Sequence, residues 1–247
     1  MSVLIFLDQS EGHIKKNSLE AASYGSKLAE MLNTSAEGIV LGVVKDELPT
    51  FGIYGLKKIH YFKNEELNNV DTQVFTNIIA DASEDVNAKV IIFSNNFNGK
   101  ALAPRLSVKL KAGLVSGALS LPDLSSGFAV KKNVFSGKAF ANVSVKTDVK
   151  IISLNANAYK IVEVGGTAEV IEPNFTVPAF KVRVKEVNKV VGEVPLSEAE
   201  IVVSGGRGLK GPENWGIVTD LAKVLGAATS CSRPVSYSDW RPHHEHV

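Results

Sequence analysis

Met1-Ser2-Val3-Leu4-Ile5-Phe6-Leu7-Asp8 opens the chain with an apolar run, Val3 to Leu7, that never alternates with polar residues. A strand wetted on one face would alternate, whereas a strand covered by helices above and below reads as this run does. Past a polar stretch containing Gly12, the segment Ser18 to Leu32 begins with a residue fit to cap a helix. It repeats small or apolar residues at Ala22, Gly25, Ala29 and Leu32. Gly38 to Val44 and Lys58 to Phe62 read as strands, the stripe Val70, Val74, Ile78, Ala82 and Val86 as a helix, and Lys89 to Ser94 as another apolar strand. Asn95 to Gly99 reads as a loop that opens a helix carrying Leu102, Leu106 and Leu110. Strand alternating with helix predicts an α/β domain with a doubly wound, mostly parallel sheet.

From Val115 the pattern changes. Ala139 to Val145 alternates, Gly137 marks a hairpin, and Val149 to Leu154 returns to an apolar strand. An antiparallel hairpin added to the parallel sheet follows from this. Val162, Val164, Val170, Phe180, Val182, Val184 and Val187 continue an extended rhythm. Val191 to Ser197, with Gly192 and Pro195, reads as a linker, which divides the chain into domains 1–195 and 196–247. In the second domain Ala199 to Val203 reads as a strand, Pro212 to Leu225 as a helix and Ala227 to Cys231 as a short strand. Because an independent sheet needs three or more strands, this second α/β domain reads as incomplete and loosely held.

With 45% hydrophobic and 21% charged residues in 247, the chain is globular in composition, neither disordered nor collagen-like. Its 27 Lys and Arg against 26 Asp and Glu leave a net charge of +1, which disfavours nucleic acid and anionic membranes as partners. A single cysteine, Cys231, and the lack of a basic leader before the first apolar run point to the cytoplasm.

The stretch richest in chemistry is Ser204-Gly205-Gly206-Arg207-Gly208-Leu209-Lys210-Gly211, which joins a strand to a helix N-terminus, where free N–H groups attract phosphate. Gly206, Gly208 and Gly211 satisfy G-x-G-x-x-G literally. The next strand ends in Ser230-Cys231-Ser232-Arg233, without the carboxylate that a nicotinamide site uses for ribose. His243, His244, Glu245 and His246 read as a solvated tail rather than a metal site, since neighbours in sequence rarely point at one ion. Asp8 reads as a surface or turn residue, and Trp215, Val218, Ala222 and Leu225 as a core stripe.

The segment Val202 to Lys210, with Glu213-Asn214, Leu225-Gly226-Ala227-Ala228 and Ser232-Arg233, resembles the start of the flavin domain in the alpha subunit of electron transfer flavoproteins. Asn98 to Leu106 resembles that family's glycine loop and Pro-Arg helix, and Ser136-Gly137-Lys138-Ala139 its hairpin. The resemblance implies that Arg207 contacts the flavin nucleotide, that Ser232 contacts the flavin and that Arg233 lies over the isoalloxazine ring. It further implies that Val247 begins the family's Val-Gly-Gln-Thr flavin loop, so that the chain looks like an alpha subunit truncated within its FAD domain. FAD is accordingly expected in the intact chain and weakly or not at all in this fragment.

The same resemblance implies an electron carrier rather than an enzyme, with no catalytic or metal residues. Its expected partners are an electron transfer flavoprotein beta subunit, acyl-CoA dehydrogenases of fatty acid beta-oxidation or other flavin dehydrogenases, and a membrane-linked or soluble acceptor oxidoreductase. Two rivals stand beside it: a scaffold fragment without flavin, and a nicotinamide-dependent oxidoreductase built on the three glycines.

Overall fold

The computed structural model describes residues 1–182, 184–186, 196 and 199–247. They group into two units, Met1–Lys185 and Glu186–Val247. The expected linker from Val191 to Ser197, the boundary after residue 195 and Val187 lie outside the described residues, Leu196 excepted.

In the first unit β1 is Ser2–Phe6, buried throughout. A small hairpin of β2 (Gln9–Ser10) and β3 (His13–Ile14) leads to α1 (Lys16–Met31), β4 (Ser35–Leu41) and β5 (Lys58–Phe62). Next come α2 (Thr72–Asp85), β6 (Ala88–Ser94), α3 (Phe97–Leu110) and β7 (Gly113–Ala118). The unit closes with β8 (Ala129–Val134), β9 (Ala139–Ser144), β10 (Lys150–Leu154) and β11 (Glu169–Ile171).

These strands, β2 and β3 apart, form one sheet in the order β11-β5-β4-β1-β6-β10-β7-β8-β9. All run parallel except β8, which lies antiparallel to both its neighbours, β7 and β9. The apolar run of β1 serves both faces. Val3, Ile5 and Leu7 pack with Ala21, Tyr24 and Leu28 of α1, while Leu4 and Phe6 pack with Val74 and Ile78 of α2 and Leu102 and Leu106 of α3. Burial on both sides is the reason that no polar residue interrupts the run.

Element ends differ from expectation for identifiable reasons. Ser18 does not cap α1: it lies inside the helix, and its Oγ donates to the Asp8 carbonyl at 3.0 Å. The helix starts earlier because Lys15, extended, ties its N–H to that same carbonyl at 3.0 Å. β4 begins at Ser35 rather than Gly38, since its register pairs Ser35 with Ser2 of β1. Among the described residues the extended rhythm after Val162 yields only β11, because Gly165 and Gly166 turn at positive φ and Pro173 and Pro178 remove ladder donors. Phe175 instead packs edge-on against Phe62, with ring centroids 4.9 Å apart.

The second unit has β12 (Val202–Gly205), α4 (Gly216–Leu225), β13 (Ala228–Cys231) and α5 (Arg233–Tyr237). β12 and β13 pair in parallel, Gly205 opposite Cys231, and His246 adds a further parallel bridge to Cys231. A strand-like third position therefore exists beyond the expected two strands. The helix expected from Pro212 splits into a 3₁₀ turn, Pro212–Trp215, and α4, which begins only at Gly216. Trp215, Val218 and Ala222 are buried, whereas Leu225, expected in the same stripe, is exposed at the helix end. Among the described residues no helix is long and apolar enough to cross a membrane.

Candidate functional site

In the second unit the loop after β12 starts with Gly206, makes one 3₁₀ turn over Arg207–Leu209 and passes through Lys210 at φ +68°. Asn214 Nδ2 donates to the Leu209 carbonyl at 2.8 Å and holds the loop against the following turn. The loop does not run straight into an α-helix, because the Pro212–Trp215 turn intervenes.

Parallel pairing brings the end of β13 beside this loop. Ser232 donates its backbone N–H to the Gly205 carbonyl at 3.0 Å. Its Oγ lies 3.7 Å from where a Cβ on Gly206 would stand, so the hydroxyl borders the loop. Ser232 flanks α5 without a side-chain capping bond, and Arg233 is the first residue of that helix. Val247 donates its N–H to the Cys231 carbonyl at 3.1 Å, on the far side of β13. All four residues, Arg207, Ser232, Arg233 and Val247, thus sit at or next to the carboxyl ends of parallel strands, the edge where open α/β sheets take ligands.

The donor set fits a flavin dinucleotide. Arg207 and Arg233 are exposed, and neither guanidinium has a hydrogen-bond or ion-pair partner among the described residues. A Cβ built on Gly208 would meet nothing within 4 Å, leaving the loop backbone open to a phosphate. β13 ends in Cys231 and is followed by Ser232, with no carboxylate in the ribose position of a nicotinamide site.

The histidine tail differs from expectation. Glu245 is buried and bound by Arg241, whose Nε donates to Oε2 at 2.8 Å and whose Nη2 donates to Oε1. The Arg241 guanidinium lies 5.5 Å from the Trp215 ring centre, and His243 Nδ1 meets Ser236 Oγ at 2.8 Å. Glu245 is thus packed rather than solvated, while His243 and His244 are exposed as expected of a tail. Its only sequence signal is the four-residue spacing of Arg241 and Glu245. Burial pushes the Cys231 thiol up, away from reactive thiolate.

In the first unit Asp8 is buried rather than a surface residue. It lies just past β1, at the switch point where the chain moves to β4 on one side and β6 on the other. Its carboxylate accepts from Lys15 Nζ at 3.0 Å, Asn96 Nδ2 at 2.8 Å and Asn98 Nδ2 at 2.9 Å. Asn96 also caps α3, its Oδ1 accepting from Gly99 N at 2.9 Å. Asp8→Ala strips three donors of their acceptor, and an expected loss of about 2–3 kcal/mol should appear in urea melts followed by far-ultraviolet circular dichroism. An unchanged midpoint would mean that water replaces the carboxylate at no cost.

A family model for the electron transfer flavoprotein domain matches residues 3–178, and one for the electron transfer flavoprotein FAD-binding domain matches residues 195–247. The electron transfer flavoprotein subunit alpha of Syntrophomonas wolfei is 30% identical over 244 residues, covering 97% of this chain and 75% of the relative. The same subunit of Bacillus subtilis is 28% identical over 249 residues, covering 96% and 74%. Protein FixB of Clostridium saccharobutylicum is 26% identical over 245 residues, covering 96% and 73%. Matched by the family model along most of its length and aligned almost end to end with these alpha subunits, the chain belongs to the electron transfer flavoproteins, which are electron carriers rather than enzymes.

Proposed function

We propose that the chain is the alpha subunit of a heterodimeric electron transfer flavoprotein. It takes electrons from flavin dehydrogenases, acyl-CoA dehydrogenases of fatty acid beta-oxidation among them, and delivers them to a downstream acceptor in the cytoplasm. FAD, when bound, supplies the redox chemistry, and the protein supplies placement and electrostatics. Arg207 sets a positive charge by the diphosphate, the open loop backbone adds N–H donors, Ser232 Oγ donates to the cofactor, Arg233 favours negative charge on the ring, and Val247 borders the site. The observation that carries this reading is that Arg207, Ser232 and Arg233, whose side chains have no partner among the described residues, lie at the carboxyl ends of β12 and β13.

The test is a FAD titration of the 247-residue chain together with its beta subunit, read by quenching of flavin fluorescence. Arg207→Ala should weaken binding about tenfold, the loss of roughly 1.4 kcal/mol from one charge-assisted contact. Arg233→Ala should lower the flavin potential by about 59 mV per 1.4 kcal/mol of lost electrostatic stabilisation, one electron at a time. Variants that bind FAD and poise its potential as the parent does would remove both arginines from the site.

A further inference from the structure

In the second unit α4 has two apolar faces, and only one of them is used. Val218 and Ala222 are buried against the strands. Ile217, Leu221, Val224 and Leu225 are exposed, Val224 by 83% and Ile217 by 69%. At about 100° per residue these four share one stripe of the helix, and no charged residue falls within it. The chain passes from β12 through α4 to the parallel β13. In the right-handed crossover that such units take, this stripe leans away from β13 and toward the free edge of β12. A contiguous aliphatic stripe left in water on so small a unit marks a contact surface.

The strand beside that stripe is open as well. Among the described residues β12 pairs only with β13. The N–H of Ala228 donates to the Ile201 carbonyl at 3.0 Å, and that of Ser232 to the Gly205 carbonyl at 3.0 Å. Residues 201, 203 and 205 therefore direct their backbone groups at β13, and Val202 and Ser204 direct theirs outward. Both are exposed. An unpaired parallel edge beneath an uncovered helix face calls for a strand and a helix together.

We propose that a second copy of the chain docks on this edge, β12 antiparallel to β12 about a two-fold axis at Val203, with the two α4 stripes packed on each other. The edge is self-complementary. Val202 of one copy lies opposite Ser204 of the other, so that each such pair exchanges both backbone hydrogen bonds, and Val203 meets its own counterpart. Neighbouring strands lie about 4.8 Å apart, so helices seated over the β12–β13 pair of each copy stand two spacings apart, about 9–10 Å. Close helix packing needs about 8–10 Å. The contact closes on itself as a two-fold must, and it makes one four-stranded sheet. An unrelated partner would have to offer an edge strand and an apolar helix at this same spacing, which a second copy does by symmetry. In this register Ile201 of the second copy stands opposite Gly205 and walls the glycine loop, so pairing and flavin binding should favour each other. Only that last link rests on the flavin reading above.

The test is sedimentation equilibrium of the purified chain alone at about 1–100 μM, where a mass of twice 26.5 kDa is expected. Ile217→Asp with Val224→Asp should raise the dimer Kd about 100-fold. Val202→Pro removes an outward N–H that β13 does not use and should raise it about tenfold. These positions are exposed, so both variants should keep the circular dichroism of the parent, and the proline variant keeps the test valid should the aspartate pair misfold. Val203→Cys should link the two copies on oxidation, because non-hydrogen-bonded neighbours across antiparallel strands stand within disulfide reach. The native Cys231 is buried and should not. A single-chain mass throughout would overturn the pairing and leave the alpha-subunit reading standing. A dimer that neither surface variant weakens, or that Val203→Cys does not link, would overturn this interface. Dissociation of the dimer by the beta subunit of the same organism would give the face to that partner and overturn the assignment. A dimer that meets these tests yet binds no FAD would support the pairing and overturn the flavin reading.

Discussion

Trp215→Ala is expected to unfold the second unit and leave the first folded. The small core there consists of buried Trp215, Val218, Cys231 and Val235, with Val203, Leu209 and Trp240 packed against it. Trp215 is its largest member, and β12 approaches the ring so closely that a Cβ on Gly205 would stand 2.6 Å from it. Removing an indole from such a core costs about 3–5 kcal/mol. A unit of about sixty residues holds roughly 3–9 kcal/mol in all, at about 0.05–0.15 kcal/mol per residue, so the loss is comparable with the whole. Both tryptophans of the chain, Trp215 and Trp240, lie in this unit, which leaves Trp240 as the reporter in the variant. Its emission should shift to the red while the far-ultraviolet circular dichroism of the first unit persists. Emission still blue and a native near-ultraviolet spectrum would show that the core closes over the gap.

Gly99→Ala should strike the first unit nearly as hard. Gly99 sits in the first turn of α3, where a Cβ would collide with the Ser94 carbonyl oxygen at the end of β6. Backbone cannot swing aside as a side chain can. The helix would have to lift, which would pull Asn96 from its capping bond and Asn98 from the Asp8 carboxylate. The expected loss is about 3 kcal/mol, against which the better helix propensity of Ala offsets about 1 kcal/mol at most. Denaturant melts followed at 222 nm would reveal it. A midpoint at or above that of the parent would mean that the helix shifts freely, and that the tight seat at Ser94 does not hold it.

Particular residues show how far sequence reasoning reached. The run Val3 to Leu7 and the stretches in β6 and β10 were legible as parallel strands because burial on both faces leaves no place for polar residues. The hairpin of β8 and β9 was legible from its two-residue alternation and from Gly137, which turns at φ +83°. Helix ends were not, since Lys15 and the Pro212–Trp215 turn are set by hydrogen bonds and packing that local propensity does not encode. Asp8 could not be placed because its partners Asn96 and Asn98 follow 88 and 90 residues later.

At the candidate flavin edge the residue types came from sequence: glycines that let a backbone approach phosphate, Arg207 and Arg233 for charge, Ser232 for a hydroxyl. Composition, strand periodicity and the family pattern are local or summed properties of the chain, so the sequence alone determined the doubly wound class and the family. Which residues become neighbours depends on register. Gly205 meets Cys231, and Ser232 borders Gly206, only because β12 and β13 pair in parallel. Likewise Phe135 and Phe140 stand exposed on one end of the sheet only because β8 and β9 lie last in its strand order. Long-range pairing decided these proximities, because the free energy that selects a register is shared by whole strands and is written at no single position.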